Sequence, residues 1–179
     1  NTKIVMGPWT HGAWAAPEWN KFASHDFGSN TSKHYQDSLE TTFFNYYLKD
    51  KGNFTAAEAT IFETGSNKWT SYSSWPPQNI QYKTFYLGAG SQLKETSGEG
   101  KDDYISDPAK PVPYTNGIFG SRNNDYMAED QRFAAMRPDV LVYESAVLTE
   151  DLSLAGPITA ALDVAISSTD ADFIVKLID

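Results

Sequence analysis

Past Gly52 the chain offers only short runs of β-forming residues, each cut off by turn residues. The runs fall at 59–64, 68–72, 81–87, 137–143, 152–156, 158–166 and 173–178. Gly65-Ser66-Asn67 separates the first two. Trp75-Pro76-Pro77 ends the second, because proline has no amide to give a ladder. Residues 88–101 are polar and glycine-rich, and 104–124 form a long irregular stretch. Short strands recurring with turn signals at roughly 8–12-residue spacing build a sandwich or a jelly roll. One helical turn is expected around 129–135. The last run stops at Asp179 without a turn or cap, so the β-domain is expected to be incomplete.

The first 53 residues read differently. Ile4-Val5-Met6 is short and apolar, like a buried parallel strand, and leads straight into Gly7-Pro8-Trp9-Thr10-His11-Gly12. Residues 9–27 hold Trp9, Trp14 and Trp19 with no clean period, which predicts a loop. From 30 to 49 the period turns helical. Tyr35, Leu39, Phe43, Tyr46 and Tyr47 recur at three- and four-residue steps and make one apolar stripe. Ser29, Asn30 or Thr31 can cap its start, and Lys49 to Gly52 closes it. The expected organisation is residues 1–53 as strand, loop and helix, and residues 54–179 as a mainly β unit.

Composition narrows the function classes. Hydrophobic residues are 40% and aromatic ones 14%, which describes a globular chain. The net charge of -9 repels phosphate backbones, so nucleic acid is not an expected partner. No apolar run reaches the ~18 residues of a membrane-spanning helix, and none is expected. Cysteine is absent, which excludes disulfides, thiolate catalysis and zinc–thiolate sites. No signal peptide is visible. Asn1 is no initiator, so the chain is expected to be cut from something longer.

His11 is the residue best placed for chemistry. Turns at the carboxyl ends of parallel strands aim side chains into a crevice, and an imidazole can take and return a proton near neutral pH. That pattern fits the general base of a serine hydrolase; a structurally bonded loop histidine is the plainer alternative. Trp9, Trp14 and Trp19 are candidates for lining an acyl pocket, or equally for fixing the loop. No Gly-x-Ser-x-Gly elbow occurs. In α/β-hydrolases the triad order is Ser, then Asp or Glu, then His, so a chain starting just before the histidine strand lacks both partners. His25-Asp26 are sequence neighbours, which rarely point correctly for a base and its orienter. His34 is expected on the helix, facing solvent. Asp102-Asp103, Glu129-Asp130 and Glu150-Asp151 match no calcium loop and read as solvated surface. No metal or cofactor is expected.

The Gly7-to-Gly12 hexapeptide resembles the histidine motif of an acyl esterase and peptidase family. That family contains cocaine esterase, α-amino-acid ester hydrolases, glutaryl-cephalosporin acylases and X-Pro dipeptidyl-peptidases. The likeness continues in order along the chain. It takes in Phe43-Phe44-Asn45-Tyr46-Tyr47-Leu48-Lys49, Phe62-Glu63-Thr64-Gly65-Ser66-Asn67-Lys68-Trp69 and Tyr104-Ile105-Ser106-Asp107-Pro108. Arg137-Pro138-Asp139-Val140-Leu141-Val142-Tyr143 and Asp172-Phe173-Ile174-Val175-Lys176-Leu177 follow.

The resemblance implies the last strand, histidine loop and helix of an α/β-hydrolase domain over 1–53. A galactose-binding-like jelly roll would cover 54–179. It implies His11 as the triad histidine, no cofactor, and a small-molecule ester or amide substrate. An upstream catalytic domain would carry the serine and aspartate, with room for a homo-oligomer. The compartment is left open by the sequence, with a bacterial periplasmic or secreted setting favoured over a cytoplasmic one. An X-Pro dipeptidyl-peptidase within the family is a further alternative. A carbohydrate-binding β-sandwich with no catalytic role is the rival from another class, and it leaves the first 50 residues without a purpose.

Overall fold

The computed structural model describes residues 2–179. β1 (Ile4–Met6) is followed by a loop carrying a 3₁₀ turn at Ala13–Ala15. Two-residue strands β2 (Lys21–Phe22) and β3 (His25–Asp26) then pair antiparallel. The helix comes in three parts: α1 (Thr31–His34), a π-helical stretch at Tyr35–Glu40, and α2 (Thr41–Lys49). Asn30 is the cap, its side chain accepting from the Lys33 amide. Asp50 ends the helix in the left-handed region, a place the sequence reading gave to Gly52.

β4 (Ala59–Glu63) and β5 (Lys68–Tyr72) form a hairpin. β4 also pairs parallel with β1, in register Ile4–Ala59, Val5–Thr60 and Met6–Ile61, so the sheet order is β1-β4-β5. As the central strand β4 is covered on both faces, with Ala59, Thr60 and Phe62 buried. Phe62 meets Phe27 at 5.7 Å and Trp69 at 5.3 Å, ring centre to ring centre. These aromatic contacts are the core of the first 72 residues.

The hairpin carries its own lock. The Tyr72 hydroxyl donates to Glu63 Oε1 at 2.7 Å. That bond first, with help from Thr70, holds the Glu63 carboxyl below its ordinary value, and the Tyr72 phenol is raised in turn. A depressed carboxyl stabilises the fold above its unfolded pKa and loses that contribution as pH falls through the folded one. A raised phenol loses its contribution as pH rises past its unfolded value. The hairpin is therefore expected to be firmest between the ordinary carboxylate and phenol ranges. Tyr72→Phe should abolish the base-side part of this dependence and shrink the acid-side part, with Thr70 still bonding Glu63, as read by amide exchange of β4 and β5.

Beyond residue 72, β6 (Tyr86–Gly88) and β7 (Gln92–Lys94) form a second hairpin. α3 (Arg132–Ala135) lies where a helical turn was expected. After residue 53 the described residues hold four strands and one α-helix, a β-rich composition. The stretch at 137–143 forms no ladder of its own. It delivers Glu144 to a single parallel bridge with Gln92, with Leu93 N–H to Glu144 O at 2.8 Å and Glu144 N–H to Ser91 O at 3.0 Å. Residues 152–156, 158–166 and 173–178 take no ladder partner, and Leu154, Ile158, Ile174 and Val175 stand exposed. Their apolar content marks them as strand material, but a strand exists only where a neighbour supplies donors and acceptors.

Side-chain pins hold the loops together. The Thr115 hydroxyl donates to Glu129 Oε2 at 2.7 Å, and the Asn116 amide to the same carboxylate. Arg137 pairs with Asp139 and reaches Lys110 O at 3.0 Å. The Tyr143 hydroxyl donates to Asp102 at 2.6 Å, and burial followed by this bond pushes the phenol up to about 12. Asp130 grips Arg132, whose hydrogen bond holds the carboxyl at about 2. Asp102 and Asp130 are exposed, as read from the sequence, and Glu129 is half-buried, while each also bonds a neighbouring side chain. The chain exposes 14431 Å², whereas a compact monomer of its mass exposes ~8,700 Å².

Candidate active site at the carboxyl end of β1

β1 and β4 run in the same direction, so the chain leaves β1 at the sheet's carboxyl edge. Gly7 follows directly. A Cβ there would lie 2.5 Å from the Trp9 ring, so only glycine lets that indole fold back over the strand end. Thr10 is buried and its carbonyl accepts from the Ala13 amide at 3.0 Å. Gly12 takes φ +84°, a left-handed turn that starts the 3₁₀ segment. His11 is left exposed at the apex, between buried Thr10 and buried Ala13. The Trp14 ring meets the imidazole edge-on at 5.7 Å and is itself 37% exposed.

The loop is anchored to the helix from several sides. Trp9 Nε1 donates to Thr31 Oγ1 at 3.0 Å, and that hydroxyl donates to Trp19 O at 2.8 Å. Thr31 is fully buried. Trp19 Nε1 donates to Pro8 O at 2.9 Å, while Trp19 N–H is taken by Asn30 Oδ1 at 3.1 Å. Asn30 Nδ2 donates to Pro17 O at 3.1 Å. Gln36 Nε2 donates to both Trp14 O and Ala16 O at 2.8 Å. The Trp9 indole sits between Tyr35 at 5.2 Å and Trp69 at 5.8 Å.

The sequence-selected residues therefore separate. Trp9 and Trp19 direct their indoles into packing and hydrogen bonds, and Trp19 stacks on Phe22 at 5.9 Å. Trp14 alone stands beside His11. His25 and Asp26 are consecutive in β3, where side chains alternate between faces, and the Asp26 carboxylate accepts from Gly28 N–H at 2.8 Å. His34 is exposed, as expected, yet one face of its ring stacks on Trp69 at 5.0 Å. Among the described residues no hydrogen bond reaches the His11 ring, and no cluster of three His, Asp or Glu is placed to hold a metal ion.

Thr31, Gln36 and Tyr35 escaped the sequence reading as loop anchors. Asn30 was legible as a cap, but not its grip on Pro17 and Trp19. A threonine, a glutamine and a tyrosine on a helix carry no signal until the facing loop is known.

Residues 48–179 match the family described as the X-Pro dipeptidyl-peptidase C-terminal non-catalytic domain. The chain belongs to the acyl esterase and X-Pro dipeptidyl-peptidase family. Its whole length is 30% identical to cocaine esterase from Rhodococcus sp. strain MB1 Bresler, over 33% of that protein. An α-amino acid ester hydrolase structure superposes with TM-score 0.75 at 30% identity, covering 86% of this chain and 27% of that one. The structure of an aminopeptidase from a marine sediment archaeon, Thaumarchaeota archaeon, gives TM-score 0.70 at 31% identity, over 79% and 24% of the two chains. The chain thus spans about a third, or less, of the relatives it matches, and its β-rich part is the family's non-catalytic domain.

Proposed function

We propose that this chain is the C-terminal part of a serine hydrolase cleaving ester or amide acyl bonds through an acyl-serine intermediate, with His11 as its general base. The observation that carries this is the placement of His11. It stands exposed at the carboxyl end of a parallel-paired strand, on a loop tied down on both sides. In the proposed reaction His11 takes the serine hydroxyl proton during acylation and gives it to the leaving group. In deacylation it takes a proton from water. Trp14 offers an apolar flank to the acyl group, while Trp9 and Trp19 hold the loop.

Residues 1–53 would complete an α/β catalytic domain that supplies the serine and aspartate, and 54–179 would form a galactose-binding-like jelly roll. The start of the family match at residue 48 supports a division near there, while the pairing of β1 with β4 carries the first sheet across it as far as β5. β1 is an edge of its sheet, with a row of backbone groups open to a further strand. The excess exposed surface likewise favours burial against more protein. The ester side of the range is supported by the cocaine esterase relative, the amide side by the aminopeptidase structure.

Labelling the complete hydrolase with a fluorophosphonate should modify a serine outside residues 1–179, as mapped by peptide mass spectrometry. A modified serine inside this chain would overturn the proposal.

A further inference from the structure

The helix facing the His11 loop is not regular. From Tyr35 to Glu40 it widens into a π-helical stretch, closed by the Thr41 amide bonding to Gln36 O. Segments of this kind are rare and recur at functional sites, where they redirect side chains that an α-helix would aim elsewhere. Here the first two residues of the stretch are the ones that meet the loop. Tyr35 packs edge-on against Trp9, and Gln36 bonds the 3₁₀ turn.

The Gln36 contact is bidentate from a single nitrogen. An amide NH₂ has two hydrogens, and both are used, on Trp14 O and on Ala16 O, each at 2.8 Å. These carbonyls flank Ala15 at the end of the 3₁₀ turn, where such a turn leaves acceptors without partners of its own. The turn cannot then rotate without breaking both bonds. Its middle residue is Trp14, whose ring meets His11 edge-on at 5.7 Å. Thr31, by contrast, acts on the other side of the loop through Trp9 and Trp19.

We infer that Gln36 is a positioning residue for the general base: by clamping the Ala13–Ala15 turn it sets the Trp14 ring against which the His11 imidazole is oriented. This rests on the role proposed for His11 above. Gln36 touches neither substrate nor the reacting proton. Its effect belongs on the chemical step, not on binding.

The test uses the complete hydrolase and p-nitrophenyl butyrate. Gln36→Leu keeps the size of the side chain and removes both donors. It should lower kcat by about 10- to 100-fold, the penalty of a reacting group misplaced by ~1 Å, with KM changed by less than ~2-fold. Gln36→Lys restores a donor of comparable reach and should return kcat to within about 3-fold of the parent. His11→Ala is measured alongside. Loss of activity in His11→Ala with full kcat in Gln36→Leu would overturn the positioning role and leave the base in place. Full activity in His11→Ala would overturn both. A Gln36→Leu variant that loses kcat, KM and thermal midpoint together, with no rescue by lysine, would mark the residue as merely structural and overturn the inference.

Discussion

His11→Ala in the complete hydrolase is expected to reduce kcat for an activated ester by about 10⁴- to 10⁶-fold, the range seen when one member of a catalytic triad is removed. KM should move little, because the imidazole acts on the serine proton and not on the acyl chain. The size of the effect follows from where the residue stands. It is exposed, at the apex of a turn whose own backbone bonds run through Thr10, Gly12 and Ala13. Removing its ring breaks none of the hydrogen bonds that hold the loop, so the thermal midpoint should stay close to that of the parent. Added imidazole should recover part of the lost rate by supplying the missing base.

The two other histidines make the comparison sharp. His25→Ala should leave turnover within about 3-fold, because among the described residues its side chain makes no hydrogen bond, and its neighbour Asp26 directs its carboxylate to Gly28 N–H. His34→Ala removes the ring stacked on Trp69 and should act on stability before rate. Turnover is followed by p-nitrophenolate release with active-site titration. If His11→Ala retained a tenth or more of the parent rate, the catalytic reading of this chain would fail.

The helix was legible in the sequence because Tyr35, Leu39 and Phe43 share one stripe and Asn30 sits before it. Its π-helical stretch was not, since nothing in Tyr35-Gln36-Asp37-Ser38-Leu39-Glu40 distinguishes a five-residue hydrogen bond from a four-residue one. The β4–β5 hairpin was legible from Gly65-Ser66-Asn67. The parallel pairing of β1 with β4 was not, because β periodicity names a face and never the partner, and these two strands lie some fifty residues apart in sequence. The same limit explains the last third of the chain. Ile158, Val164 and Phe173 mark strand material, yet the described residues bring no second strand beside them. For the site, the hexapeptide pointed to His11 through residue type and the preceding strand. The anchors Thr31 and Gln36 became visible only when the helix and loop were brought face to face.

Gly7→Ala should do damage out of proportion to one methyl group. The new Cβ would fall 2.5 Å from Trp9 Cζ2 and 2.6 Å from Cε2 and Cη2, well inside contact distance. The indole has little freedom to retreat. Its nitrogen is bonded to buried Thr31, and its faces meet Tyr35 and Trp69. Overpacking of a fixed ring is expected to cost about 1–3 kcal/mol, read as a lower denaturant midpoint. If Trp9 yields instead, it lets go of Thr31, the loop loses an anchor two residues before His11, and kcat should fall about 10- to 100-fold. Gly12→Ala is the control. That position has φ +84° but open space around it, so only backbone strain of about 1–2 kcal/mol opposes alanine. The clashing atoms all belong to the six-membered ring of Trp9. A smaller ring should therefore relieve them, and Gly7→Ala combined with Trp9→Phe should lose less stability than the two single losses added together. Strict additivity in that cycle would show that Gly7 and Trp9 do not meet, and that the strand end is held by something other than this contact.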